Sequence, residues 1–249
     1  MLNKSRSARL SMESSKIDGG INCTDQGDAS WPIHTARRER NMPTDAPYRG
    51  SITREQWLLR ETRTVARLRL EAGSEYDPAA TIARVCDENL FQYPTERELR
   101  SVARACDRRL AALSDEASTR NTLLDLMANG TATQAMQVNL YAMARDNRIV
   151  WDFLVAVIGH KFKTLDYNLA KREIVAFIEG LRAQDEKAAG WSDSTANKIR
   201  QVLAQCMERC GVYDRKTEQL TTPLLDLTLE GCIRANGDTD LLPAFGQME

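Results

Sequence analysis

Histidine is the scarcest chemically versatile residue here: His34 and His160 are the two in 249 residues. With so few, neither a paired-histidine zinc motif nor a histidine-activated nucleophile is assembled. No glycine-rich phosphate loop and no nucleophile elbow occurs, so the usual marks of an enzyme are missing. His160 ends an apolar run beside Lys161 and Lys163, where its simplest role is to meet a helix end. Long hydrophobic runs are missing as well. The nearest, 149–159, contains Asp152 and falls short of the roughly 20 residues that span a bilayer. The first residues lack the apolar centre of a signal peptide. No sign of charge dominates: 34 Lys and Arg against 35 Asp and Glu leave −1, so no global field drives the chain to nucleic acid or acidic membranes. Aromatic residues make up 6%, and Trp57, Trp151, Phe153 and Phe177 fall on apolar faces, which predicts core positions rather than base-stacking platforms.

Six cysteines are present, Cys23, Cys86, Cys106, Cys206, Cys210 and Cys232, mostly on apolar helical faces. Cys206, Cys210 and Cys232 could converge, but structural zinc wants a fourth ligand that is not evident. They are expected as small core hydrophobes in a cytoplasmic protein with reduced thiols. The expectation is therefore a non-enzymatic protein with no metal, cofactor or membrane contact.

What is present is mostly helix. Residues 1–41 mix Ser, Asn, Gly, Asp and Arg without apolar period and are expected to be a disordered tail, with Met42 as the native start. From Ile52 onward consecutive helices are expected over 53–70, 78–89, 95–113, 118–128, 132–146, 148–160, 165–184 and 224–235. Thr95 and Glu98 read as a capping box. Polar 185–190 reads as a linker and 236–249 as a polar, irregular tail. The expected domains are a helical one over 42–188 and a second over 189–249.

The stretch 191–223, WSDSTANKIRQVLAQCMERCGVYDRKTEQLTTP, carries the most information. Asp193 or Ser194 can cap a helix whose apolar face is Ile199, Val202, Leu203, Cys206 and Cys210. Gly211 ends it. Short β-forming segments at 212–214 and 219–222 flank the polar run that contains Arg215 and Lys216, as in a hairpin; these two cations are further candidate DNA contacts, and Pro223 can open the next helix. A helix followed by a ribbon is the layout of a winged helix. Asn197, Lys198, Gln201 and Gln205 would then face a DNA groove, where Asn and Gln suit adenine edges and Lys suits guanine or phosphate. The same residues equally fit a solvated helix face, and from Gly190 onward six Lys and Arg stand against nine Asp and Glu.

Arginine outnumbers lysine 26 to 8. Arg97, Arg100, Arg104 and Arg108 recur at spacings of three, four and four, and Arg60, Arg63 and Arg67 form a similar row. Such rows can follow a phosphate backbone. Glu96, Asp107 and Glu61 are close enough in sequence to make them salt-bridged surfaces instead.

Two segments, LYAMARDNRIVWDFLVAVI at 140–158 and the 191–223 stretch, together with RETRTVARLRLEAG at 60–73 and ENLFQYPTERELR at 88–100, resemble the BrxA family of BREX phage-exclusion systems. The resemblance covers 49–245. It implies a predominantly helical protein with a NusB-like core; with the helix–ribbon reading above, the expected fold is all-α with a C-terminal winged-helix-like part carrying one small β-ribbon. It also implies double-stranded DNA as a ligand, and the methyltransferase, ATPase and phosphatase-like protein of the same system as partners. A scaffold that docks acidic partner surfaces, and an RNA-binding regulator of antitermination type, are the other readings these residues leave open.

Overall fold

In the computed structural model, residues 46–247 are described. The expected tail over 1–41, Met42, His34 and Cys23 lie outside them.

The described chain is mainly α-helical with one two-stranded antiparallel ribbon. Local chemistry sets the helix starts. Asp77 accepts the Ala79 and Ala80 N–H groups, and Pro78 opens α2 (Pro78–Asp87). Thr95 accepts the Glu98 N–H at the start of α3 (Glu96–Ala111). Glu116 caps α4 (Ala117–Asn129). Thr131 and Gln134 form a reciprocal capping box at α5 (Ala132–Asp146).

The helical body is built around α5. Ala135, Val138, Leu140, Tyr141, Ala142 and Ala144 are fully buried, so this helix is apolar nearly all round. α1 (Leu59–Ala72), α3 and α4 pack on it, and α2 covers α3. One connected core runs from Tyr48 to Phe245. Trp151, Phe153 and Phe177 lie in it, and Trp57 is buried too, as their apolar faces require. Each such side chain contributes roughly 1.5–3 kcal/mol through removal from water.

Several boundaries differ from expectation. The first helix begins at Leu59 rather than 53, behind a 3-10 turn at Gly50–Thr53 and Leu58 at φ +43°. The intervening carbonyls of Gln56 and Trp57 accept bonds from Arg109 at 2.8 and 3.4 Å, and Asn139 donates to Trp57 at 2.7 Å, so tertiary donors replace helical ones. α8 (Lys171–Gln184) starts at Lys171, not 165, because Leu165 takes φ +55° and 167–169 is extended alongside the ribbon. A short helix, α9 (Glu186–Ala189), stands where a linker was expected, capped by Asp185 and with Ala188 buried. Asp226, not Pro223, opens α11 (Leu227–Ala235). The expected irregular tail instead forms a 3-10 segment, Thr239–Phe245, with Leu241, Leu242 and Phe245 buried.

The helix after α5 has three parts: α6 (Arg148–Asp152), a π-helical segment (Phe153–Gly159) and α7 (His160–Lys163). Gly159 sits where the C-terminal 3-10 segment crosses. A β-carbon there would lie 3.2 Å from the Leu154 carbonyl and 3.4 Å from both the Ala244 nitrogen and Pro243 Cβ. Gly159→Val is therefore expected to destabilise by about 1–3 kcal/mol through overpacking, measured by denaturant unfolding. An unchanged midpoint would show that the segment yields.

Candidate nucleic-acid interface

Helix α10 (Asp193–Arg209) is the centre of the candidate site. Ser192, rather than the expected Asp193 or Ser194, is its cap, accepting the Thr195 N–H at 3.2 Å. Ile199, Val202, Leu203 and Cys206 are buried, and Cys210 is half-buried. Burial pushes the Cys206 and Cys210 thiols up to about 12, as befits small core hydrophobes. The helix packs on the 50–53 turn, α8 (Lys171–Gln184) and the ribbon. Trp191 and Thr195 lie against Gly50. Gly211 at φ +75° turns the chain out of the helix.

On the outer face of α10, Asn197 and Gln201 are exposed, and Lys198 and Gln205 are half-buried. Arg200 donates to the Asn197 Oδ1 and lies 3.7 Å from Glu179. Arg182 bridges Glu179 and Asp193, at 3.1 Å from each. These pairs engage Asp193, one of the nine carboxylates counted from Gly190 onward, together with Glu179 of the preceding helix. With its oxygen engaged, Asn197 presents its amide N–H groups.

The ribbon pairs β1 (Tyr213–Asp214) with β2 (Gln219–Leu220), Tyr213 opposite Leu220 and Asp214 opposite Gln219. It is not free. Asn168 bridges Gln219, Leu169 N–H donates to the Glu218 carbonyl at 2.8 Å, and Leu220 N–H donates to the Tyr167 carbonyl at 2.7 Å. The Tyr213 hydroxyl donates to the Leu169 carbonyl at 3.0 Å. Segment 167–169 therefore lies alongside the ribbon as a short third edge. Lys216 is exposed at the turn, and Arg215 lies 3.6 Å from Glu208.

The two arginine rows divide by environment. Arg97 and Arg104 are exposed and have no ion-pair partner among the described residues. Arg100 pairs with Glu96 one turn back. Arg108 binds Asp146 at 2.8 Å and Glu55 at 2.6 Å, and Arg49 joins the same Asp146 at 3.2 Å. The hydrogen bond to Asp146 holds the Arg108 guanidinium above its ordinary pKa. In the α1 row, Arg60 is exposed, but Arg63 donates to the Ala128 and Gly130 carbonyls at 3.1 and 2.7 Å. Arg67 donates to Ala128 at 3.2 Å. These two close the C-terminal end of α4, where the last carbonyls lack helical partners.

Ser51 Oγ lies 3.2 Å from Glu55, the residue that holds Arg108, and its turn packs on α10. The ion-paired end of the α3 row thus adjoins the first half of α10.

Arg109 is the residue that sequence reading passed over. It is 2% exposed, bonds only to backbone carbonyls among the described residues, and burial lowers its pKa. Its signal was available: it follows Val102 and Cys106 at spacings of four and three, on the apolar face of α3.

The family model BrxA matches residues 46–237. A BREX protein BrxA from Bacillus cereus (strain H3081.97) is 25% identical over 199 residues, covering 79% of this chain and 95% of that protein. A BREX protein BrxA from Paramagnetospirillum magneticum (strain ATCC 700264 / AMB-1) is 24% identical over 192 residues, covering 77% and 92%. The crystal structure of an uncharacterized protein from Magnetospirillum magneticum shares the fold, with a TM-score of 0.66 at 22% identity over 80% of this chain and 97% of that one.

Proposed function

Since the chain belongs to the BrxA family of BREX components, we propose that it is a non-enzymatic, double-stranded DNA-binding subunit of a phage-defence system. The observation that carries this reading is the pairing of 167–169 with the ribbon. It gives the order helix 148–163, edge strand, α8, α9, α10, ribbon, which is the order of a winged helix with the one-turn α9 inside the α8–α10 connection. On this reading the DNA-binding unit takes in the 148–163 helix and α8 as well as 189–249. α10 enters the major groove and the ribbon lies along the flanking backbone. Gln201, Gln205, Lys198 and the Asn197 amide face the bases, while Arg97, Arg104 and Arg60 are the members of the two arginine rows with no ion-pair partner among the described residues, and so are available to phosphates. The methyltransferase, ATPase and phosphatase-like protein of the system are the protein partners this role implies.

The test is fluorescence anisotropy of the full chain with a labelled duplex from 50 to 300 mM salt. Binding whose log–log slope is about −0.9 per phosphate contacted is the expected result. Failure to bind duplex at low salt, or displacement of duplex by equimolar structured RNA, would sink the proposal.

A further inference from the structure

Sequence reading placed phosphate contacts on α3 and α1, and named Arg215 and Lys216 at the hairpin turn as further DNA contacts. The folded chain brings a further set of cations together at the other end of α10. Lys171 and Arg172 open the exposed side of α8, and Lys216 stands at the turn of the ribbon. The backbone bonds from 167–169 to the ribbon hold these elements side by side. Lys171 Nζ lies 3.4 Å from the Glu218 carboxylate, two residues after Lys216.

The neighbouring carboxylates already have partners. Glu173 and Asp166 both bind the buried Lys161 Nζ at 2.7 Å. Asp214 accepts the Lys216 backbone N–H at 2.8 Å, and Glu208 pairs with Arg215. Arg172 and Lys216 have no ion-pair partner among the described residues. The Lys171–Glu218 pair is 70% and 30% exposed, an arrangement that water and salt screen and that a phosphate can replace.

We propose that Lys171, Arg172 and Lys216 form a second phosphate-contacting surface, so that a duplex is held at both ends of α10. This rests on the duplex-binding reading above. The geometry favours a long polyanion over a compact acidic partner because the two cationic surfaces flank one helix. Its 17 residues span about 25 Å. The first surface, Arg97 and Arg104, continues from the Arg108–Glu55 pair beside the start of α10, and the second adjoins the ribbon that follows its end.

Phosphate-ethylation interference with the full chain reads this directly. The parent should show two separate clusters of phosphates whose ethylation blocks binding. A variant carrying Lys171→Gln, Arg172→Gln and Lys216→Gln should lose one cluster and keep the other, with a salt slope shallower by about 2–3. All three side chains are exposed, so its melting temperature should match the parent's. If the triple variant keeps both clusters and the parental slope, the second surface is refuted while duplex binding stands. If the parent shows no interference because it binds no duplex, the functional reading itself fails. If the variant instead keeps both clusters and loses binding to an acidic protein of the same system, the surface belongs to a protein partner and the proposal is overturned.

Discussion

Replacing Arg97 and Arg104 together with glutamate is expected to weaken duplex binding on the order of tenfold or more and to flatten its salt dependence by about 1.8 in slope, two contacts at about 0.9 each. The loss should be uniform across duplex sequences, because phosphates carry no base information. The argument rests on environment rather than on charge alone. Arg100 and Arg108 share the same helical face but are tied to Glu96, Glu55 and Asp146, so a phosphate would first have to displace a carboxylate. Arg97 and Arg104 face water, and their exchange should leave stability within about 0.5 kcal/mol of the parent. Arg63→Ala makes the contrast. It removes donors from the end of α4, so it should lower stability and leave the slope alone. Anisotropy across a salt series, with a thermal melt of each variant, checks both halves. An Arg97/Arg104 variant with the parental slope would remove α3 from the interface.

The largest stability effect is expected from Asp238→Ala. Asp238 is fully buried, takes the Arg145 guanidinium at 2.6 Å and accepts the Tyr141 hydroxyl at 2.6 Å. Beside it, Asn236 donates to the Tyr141 hydroxyl oxygen and the Leu113 carbonyl, and accepts from Ser114. The cluster joins the end of α3, the middle of α5 and the turn after α11. Removing the carboxylate strands a buried cation, which costs about 3–5 kcal/mol. For a chain of this size that corresponds to a melting temperature lower by roughly 6–20 °C. Arg145→Met combined with Asp238→Leu should recover much of the loss, because no charge is then left unpaired. A single-variant loss below about 1 kcal/mol would mean that water or a local shift satisfies Arg145.

These two sites also mark how far the sequence could be read. α5 was expected at 132–146 and is found there, because its capping residues and dense apolar pattern agree. The ribbon was legible from its β-formers and Gly211. Misreadings came where tertiary bonds override local preference. Residues 54–58 continue the apolar period of α1, yet the buried Arg109 takes their carbonyls. Residues 236–245 read as polar tail because Asn236, Asp238 and Asp240 dominate the string. Folded, Asp238 and Asn236 face inward and Leu241, Leu242 and Phe245 fill the core. At the candidate site the arginine rows were visible, but which guanidiniums stay uncommitted depends on Asp146 and Glu55, dozens of residues away. The cations at Lys171 and Arg172 were hidden because 167–169 gives no sign of pairing with a ribbon fifty residues later.

The π-helical stretch at Phe153–Gly159 acts as a phase adjuster between the two halves of the molecule. A helix wound with one residue more than the α repeat turns everything beyond it by about 100°. Upstream, Asp152 is set to receive the Tyr48 hydroxyl at 2.7 Å; downstream, Lys161 is set to grip Asp166 and Glu173 beneath the ribbon. Trimming one residue from the stretch would let ordinary winding resume, but it would swing Lys161 off its carboxylates and the ribbon with it. The length of this segment is thus a gauge of relative orientation: it sets the angle between what Asp152 holds and what Lys161 holds.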